Sequence, residues 1–238
     1  MPITIIRRTA IDAGPDTEGE TLLRYDAILY DFDGTIADTI PMILTCFQTA
    51  FMKVTGRLED EAFLLSTIGL PLAYAFSGYE PAVRKSLYEA YQAENANLLA
   101  TSVRIFEGVP EGLAQLQTMG IRQGVVTSKK RETALFSMRQ FELESYFEVL
   151  ITREDTEVHK PNPEPLLLAM QKMGISDISR VLYVGDSVHD LRCAANAGMD
   201  SAAVNWTYMP LSELAAEKPT YWLARLTDLP CILADAEL

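Results

Sequence analysis

The feature that most constrains the fold is a series of short apolar segments that do not alternate with polar residues. They lie at residues 27–30, 124–126, 149–151, 181–184 and 202–204. Segments of this kind are typical of strands buried on both faces of a parallel sheet. Patterns with helical spacing separate them, at about residues 110–119, 130–141, 163–173 and 189–197. Strands that alternate with helices of this length predict βαβ units and an α/β fold with an open parallel sheet.

One long segment, residues 39–104, breaks this alternation and contains no convincing strand. Its apolar residues have helical spacing at 41–53 and again at 79–99, where Glu94 interrupts the apolar face. We therefore expect an all-helical insert after the first strand, with hinges near Thr39 and Phe106.

The predicted organisation follows from this insert. It consists of an N-terminal extension (1–24), a core (25–38 and 107–238) and the insert (39–106). Within the extension, residues 3–6 suit a short strand and residues 12–20 a loop.

Composition excludes several classes of function. The net charge of −13 leaves no surplus of Lys and Arg for a nucleic-acid interface and argues against an anionic membrane surface. No apolar run approaches the roughly 20 residues that span a bilayer, and no secretory signal is recognisable.

Cys46, Cys193 and Cys231 are odd in number and lack a CxxC pattern, which favours reduced thiols in a cytoplasmic protein. The two isolated histidines do not suggest zinc.

Every predicted strand ends in polar or acidic residues, and in parallel sheets ligands bind at that edge. Asp31 and Asp33 follow the first strand, and Gly34 permits a sharp turn close to a ligand. One carboxylate could attack phosphorus while the other moves a proton. The alternative is a polar strand-to-helix turn in which Asp38 or Thr39 caps the next helix.

A second acidic cluster lies at residues 185–190, with the sequence GDSVHD. Asp186 ends a strand and Asp190 lies about one helical turn later. Carboxylates at this edge suit Mg²⁺, which prefers oxygen ligands. The alternative is an N-cap at Asp186 or Ser187 with an acidic first helical turn.

Two further segments complete the candidate site. Thr127 and Ser128 end the second strand, where a hydroxyl and backbone N–H groups could bind phosphate or simply cap a helix. Lys160 lies among three prolines at residues 159–165, HKPNPEP, which would hold its ammonium beside the phosphate and the carboxylates. The alternative for Lys160 is an ordinary solvated lysine.

Together, the four segments at 31–35, 127–128, 160–161 and 185–190 resemble the haloacid dehalogenase superfamily, in its order and spacing, from about residue 25 to 233. Residues 67–72 (TIGLPL) and 160–165 (KPNPEP) are similar to its phosphoglycolate phosphatase and pyrophosphatase-like group. The resemblance implies a Rossmann-like core carrying a helical cap, which corresponds to the predicted insert.

The resemblance also implies roles for the site residues. Asp31 would be the nucleophile and a metal ligand, and Asp33 the general acid/base that binds Mg²⁺ through its backbone carbonyl. Gly34, Thr127, Ser128 and Lys160 would bind the substrate phosphate. Asp186 would ligate Mg²⁺, and Asp190 would support the metal directly or through water.

The predicted function is therefore Mg²⁺-dependent hydrolysis of a small phosphorylated metabolite, either a phosphoglycolate-like monoester or pyrophosphate, through an aspartyl-phosphate. The alternatives are a sugar-phosphate mutase, which would re-transfer the phosphoryl group, and a non-catalytic binding domain. A carbon–halogen hydrolase is disfavoured because those relatives lack an aspartate at the position of Asp33. The expected assembly is a monomer or a homodimer.

Overall fold

A parallel β-sheet forms the centre of the protein in the computed structural model, which describes residues 23–234. The strands are β1 (Ala27–Tyr30), β2 (Ala37–Asp38), β3 (Arg104–Ile105), β4 (Arg122–Val126), β5 (Val149–Ile151), β6 (Val181–Gly185), β7 (Asp200–Val204) and β8 (Tyr221–Leu223). Among the described residues, the main sheet has six parallel strands in the order β5-β4-β1-β6-β7-β8. The predicted α/β fold with an open parallel sheet is confirmed, and the five predicted strands are all present.

Helices connect the strands and cover the sheet. They are α1 (Ile40–Thr55), α2 (Glu61–Thr67), α3 (Pro81–Ser102), α4 (Val109–Thr118), α5 (Arg131–Gln140), α6 (Glu164–Met173), α7 (Val188–Ala197), α8 (Leu211–Ala216) and α9 (Leu229–Ala234). The four helices predicted between the core strands correspond to α4, α5, α6 and α7. No described helix is long and apolar enough to cross a membrane.

The segment between β1 and β4 contains α1, α2 and α3. Pro41 lies in the first turn of α1, and Gly56, in the left-handed conformation at φ 71°, ends it. Phe47 of α1 packs against Tyr91 of α3 with ring centroids 4.8 Å apart. Both rings belong to the same buried cluster as Tyr30 in the sheet, so the helices share apolar contacts with the core.

The sequence-based description of this segment needs one correction. Strands β2 and β3 pair antiparallel, with Ala37 opposite Ile105 and Asp38 opposite Arg104. This short two-stranded ribbon was not predicted. It pairs the segment before α1 with the segment after α3. Two residues are too few to show an alternation pattern, so the sequence gives no signal for either strand. The exact domain boundaries stay a prediction, and the predicted strand at 3–6 and loop at 12–20 lie outside the described residues.

Candidate functional site

The central strand β1 brings the predicted site residues together. It pairs with β4 on one side and β6 on the other, so the carboxyl ends of all three strands lie side by side. Asp31, Thr127 and Asp186 follow these strands directly, and each is at most 5% exposed. The predicted convergence of strand ends is therefore present in the structure.

Lys160 connects two of the carboxylates. Its Nζ lies 2.9 Å from Asp31 Oδ1 and 2.7 Å from Asp190 Oδ1, and the side chain is 1% exposed. Burial lowers the pKa of Lys160, but Asp190 and Asp31 more than offset this, so the pKa lies above its usual value. Lys160 is thus a buried ammonium held between two aspartates, not a solvated lysine.

Asp31 is buried, and burial raises the pKa of its carboxyl group to about 7, although Lys160 opposes that shift. Burial also raises the pKa of Asp186 well above its ordinary value, with contributions from the negative charges of Asp190 and Asp31. Asp190 differs: burial acts to raise its pKa, but Lys160 and the hydrogen bonds from Ser187 and Tyr183 lower it overall. The positive charge near Asp31 and Asp186 is therefore too small to offset the effect of burial on their pKa values, in contrast to Asp190.

These carboxylates fit a divalent cation. Asp31, Asp186 and Asp190 each offer an oxygen within 4.8 Å of the others'. Asp31 Oδ1 is buried, and the Lys160 ammonium lies 2.9 Å from it. Oxygen donors of this type suit Mg²⁺, and three buried carboxylates that share one ammonium are costly unless a further cation meets them.

Asp190 is largely committed to the protein itself. Ser187 is the N-cap of α7, and its backbone N–H and hydroxyl both donate to Asp190 Oδ2, at 3.1 and 2.6 Å. Oδ1 accepts hydrogen bonds from Lys160 and from the hydroxyl of Tyr183. The helix-capping alternative therefore applies to Ser187 and Asp190. Asp186 takes no part in the cap, and its Oδ1 accepts a hydrogen bond from Thr35 Oγ1 at 3.2 Å.

Asp33 lies beside the cavity, and two residues hold one of its oxygens. Thr39 Oγ1 donates to Asp33 Oδ1 at 2.7 Å, and Lys129 Nζ donates to the same atom at 2.8 Å. Thr39 occupies the N-cap position of α1 but makes no side-chain capping bond. The hydroxyl that the sequence suggested as a cap instead binds Asp33, and the Lys129 contact was not predicted.

Gly34 is required by the shape of the turn. Its φ is 85°, in the left-handed region, and its N–H donates to the carbonyl of Ala37 at 2.8 Å. A Cβ built on Gly34 would lie 2.1 Å from Asp186 Oδ2. Glycine thus makes room for the Asp186 carboxylate, while its own N–H already bonds within the turn.

Thr127 and Ser128 do not cap a helix, because α5 begins at Arg131 with Lys130 at its N-cap. Thr127 Oγ1 accepts a hydrogen bond from the N–H of Lys129 at 3.3 Å. Ser128 Oγ donates to the carbonyl of Gly69, at 2.6 Å, in the loop after α2. Ser128 therefore also ties the strand end to the segment that carries the helices.

A cavity of about 100 Å³ lies between these strand ends and the helices α1–α3. Its lining includes Asp31, Asp33, Thr127, Ser128, Lys129, Lys130, Arg153, Gln92 and Asn95. The nucleophile candidate and the proton-transfer candidate therefore open into one space that a small molecule can enter.

Comparison with known proteins agrees with this geometry. A model of the haloacid dehalogenase-like hydrolase family matches residues 28–204. Pyrophosphatase PpaX of Bacillus velezensis is 34% identical over 207 residues, which cover 87% of this chain and 95% of that protein. Pyrophosphatase PpaX of Bacillus pumilus is 33% identical over 209 residues, covering 87% and 96%.

Solved structures show the same fold. A haloacid dehalogenase-like hydrolase from Bacteroides fragilis is 30% identical and superposes with a TM-score of 0.80 over 86% of this chain and 99% of that one. A structure from Haemophilus somnus, described as a predicted phosphoglycolate phosphatase, gives 21% identity and a TM-score of 0.77 over 88% and 98%. The fold, the strand-end site and the family match agree, and the chain belongs to the haloacid dehalogenase-like hydrolases.

Proposed function

We propose that this enzyme is a Mg²⁺-dependent phosphatase that hydrolyses a small phosphorylated metabolite through an aspartyl-phosphate at Asp31. The observation that carries the proposal is the position of Asp31. It is buried at the central strand end, 2.9 Å from the Lys160 ammonium, and it opens into the same cavity as Asp33. A carboxylate held in this way can attack phosphorus while a second carboxylate moves the proton.

The metal would be held by carboxylate oxygens of Asp31 and Asp186 and by the backbone carbonyl of Asp33. Bound Mg²⁺ supplies positive charge that reduces the repulsion between an anionic nucleophile and an anionic phosphate. Asp190 would act mainly by holding Lys160, because its oxygens already accept bonds from Lys160, Tyr183 and Ser187.

The protein's own residues would carry the remaining chemistry. Asp31 forms a bond to phosphorus, and the bond from phosphorus to the leaving oxygen breaks as Asp33 gives that oxygen a proton. In the second step Asp33 takes a proton from water, which attacks the phosphorus and releases Asp31. Lys160, with Thr127 and the backbone at Ser128, would neutralise and position the phosphoryl oxygens. Gly34 would contribute through its turn, since its N–H is bonded to Ala37.

The relatives support two substrates. Several are named pyrophosphatases, and one structure of the same fold is described as a predicted phosphoglycolate phosphatase. We therefore propose a phosphoglycolate-like monoester or pyrophosphate as substrate, with the protein acting in the cytoplasm as a monomer or homodimer. The segment 39–106 would act as a cap that closes over the site and excludes bulk water.

Phosphate release by purified protein tests this function. Pyrophosphate, 2-phosphoglycolate, p-nitrophenyl phosphate and a sugar phosphate are supplied with Mg²⁺ or with EDTA. We expect release that requires Mg²⁺ and is lost in Asp31→Asn, with free phosphate as product. Retained activity in Asp31→Asn or in EDTA would contradict the mechanism, and an isomerised sugar phosphate would indicate the mutase alternative.

A further inference from the structure

The cavity that contains Asp31 and Asp33 is also lined by three cationic side chains: Lys129, Lys130 and Arg153. Lys129 is paired with Asp33. Within residues 23–234, neither Lys130 nor Arg153 forms an ion pair with a carboxylate. The acidic residues that follow Arg153 have other partners: Glu154 accepts from the backbone of Arg131, and Asp155 pairs with Arg131 and Lys172.

A neutral side chain holds the Lys130 ammonium at the cavity, and a backbone hydrogen bond positions Arg153. Lys130 Nζ donates to Gln92 Oε1 at 3.1 Å and lies 5.3 Å from the centroid of the Tyr88 ring, both on α3. The backbone N–H of Arg153 donates to the backbone carbonyl of Lys129 at 3.2 Å. This bond places the loop after β4 next to the loop after β5. The two cations thus lie where these loops meet α3.

Tyr88 lies close enough to both cations for their charge to act on its phenol. Burial raises the pKa of its phenol, but Lys130 and Arg153 lower it further than burial raises it, so the pKa lies below its usual value. In a chain with a net charge of −13, a pair of half-buried cations without carboxylate partners is unusual. Cations in a cleft that lack an internal counter-ion are suited to binding an anion from solution.

The position of Lys130 in the chain indicates which part of a substrate would meet it. Lys129 contacts Asp33, the residue proposed to protonate the leaving oxygen. Lys160, by contrast, contacts Asp31 and Asp190. The transferred phosphoryl group would therefore lie beside Lys160, and the leaving group beside Asp33, Lys129 and the adjoining Lys130.

We propose that Lys130 and Arg153 form a subsite for a second anionic group, carried by the leaving group of the substrate. The inference rests on the proposed phosphatase function and narrows its substrate class. The substrate would be a phosphorylated compound with a phosphate or carboxylate close to the scissile bond. Esters with an uncharged leaving group would bind without this contact. The buried amide of Asn95, which lines the same cavity, would add a neutral hydrogen-bonding group to the subsite.

Steady-state kinetics with three substrates test the subsite. Pyrophosphate and 2-phosphoglycolate carry the second anion as phosphate and carboxylate, and p-nitrophenyl phosphate lacks it. In Arg153→Gln and in Lys130→Gln, we expect kcat/KM for the better anionic substrate, relative to p-nitrophenyl phosphate, to fall about ten- to hundredfold, the usual effect of losing one charged hydrogen bond. Comparison of the fall in kcat/KM for pyrophosphate with that for 2-phosphoglycolate shows whether the subsite prefers a phosphate or a carboxylate.

Lys85→Gln is the matched control. It removes one positive charge from α3 at a side chain that is 77% exposed and does not line the cavity. We expect it to leave the ratio of the two kcat/KM values unchanged. An equal loss for all three substrates in Arg153→Gln and Lys130→Gln would mean that these residues act on the fold or on the transferred phosphoryl group, and the subsite would be rejected.

A binding measurement keeps this result separate from the proposed function. Calorimetry with methylenediphosphonate and methylphosphonate, in the presence of Mg²⁺, compares ligands with and without the second anion and requires no turnover. We expect the wild type to prefer methylenediphosphonate and the double variant Lys130→Gln/Arg153→Gln to lose that preference. Absence of turnover with an intact preference would reject the phosphatase and keep the subsite. Equal affinity of the wild type for the two ligands would reject the subsite for phosphate.

Discussion

Two lysine–aspartate pairs lie at the same site and differ in their surroundings. Lys160 pairs with both Asp31 and Asp190, and these three side chains are almost fully buried, at most 3% exposed. The pair of Lys129 with Asp33 lies at the cavity, where the side chains are 6% and 15% exposed. Lys160 also contacts Tyr183, so it has three described partners, whereas Lys129 has a single side-chain partner, Asp33.

This difference corresponds to the two roles proposed for the aspartates. A nucleophile must be held in position and must lose its proton before attack. A buried lysine with several partners holds Asp31 and opposes the rise in its pKa that burial causes. An acid/base must gain and lose a proton during each cycle, which requires access to the substrate and to water. The more open pair at Asp33 permits that exchange.

The largest effect is expected from Lys160→Met. Removing one partner of a buried ion pair typically costs about 3–5 kcal/mol, because it leaves uncompensated charge. We expect the free energy of unfolding to fall by about that amount and Mg²⁺-dependent turnover to be lost. Urea denaturation and phosphate release measure the two effects. A stable variant with normal turnover would show that Lys160 supports neither the fold nor Asp31.

Asp33→Asn should separate catalysis from stability. Loss of a general acid/base typically lowers kcat by about 10²- to 10⁴-fold. Because Asp33 is partly exposed, we expect the unfolding midpoint to change little. The control is Asp38→Asn, which alters an aspartate five residues away that accepts a hydrogen bond from Tyr208 at 2.9 Å. Equal kcat values for Asp33→Asn and wild type would remove Asp33 from the proton-transfer role.

Lys129→Met should have a smaller effect than either substitution. It removes one of two donors to Asp33 Oδ1, and Thr39 remains. Because Thr39 still holds Asp33, we expect a fall in kcat at the low end of the range for one charged hydrogen bond, about tenfold. We expect a loss of stability clearly smaller than that of Lys160→Met. If Lys129→Met destabilised the fold as strongly as Lys160→Met, the contrast between the two pairs would be wrong.

The remaining effect concerns the pH dependence of stability without metal. Burial raises the pKa of Asp31 in the folded protein to about 7, above its ordinary value of 3.8. The folded state therefore binds more protons between these values, and this contribution to stability is lost as pH rises from about 4 to 7. We expect wild type in EDTA to lose stability across that range relative to Asp31→Asn, and Mg²⁺ to reduce the difference. A wild-type advantage that grows with pH would contradict the assignment.

The sequence predicted that Asp31, Thr127 and Asp186 lie close together, because the edge of a parallel sheet brings strand ends together whatever their separation in the chain. The sequence also allowed two interpretations of Asp190, as part of a helix cap or as part of the site. In the structure Oδ2 of Asp190 accepts a hydrogen bond from the N-cap residue Ser187, and Oδ1 accepts one from Lys160.

Other contacts had no signal in the sequence. Lys129 reaches Asp33 across 96 residues, and Lys130 meets Gln92 on a helix whose packing cannot be inferred from its own apolar pattern. Thr39 suited a helix cap as well as its actual bond to Asp33. Strand β8 (Tyr221–Leu223) was not predicted either; it lies at the edge of the sheet, and two of its three residues are only partly buried. In each case the missing information was tertiary packing, because local preference allowed more than one outcome.

The central claim, that Asp31 is the nucleophile, can be tested by trapping the covalent intermediate. Wild-type protein turning over ³²P-pyrophosphate with Mg²⁺ is quenched in acid, digested with trypsin and mapped by mass spectrometry. Our account predicts a hydroxylamine-labile phosphate on Asp31, in the fragment of residues 25–53, and none in Asp31→Asn. Label on another residue, or turnover with no trapped label in a quench fast enough to sample a single cycle, would contradict it.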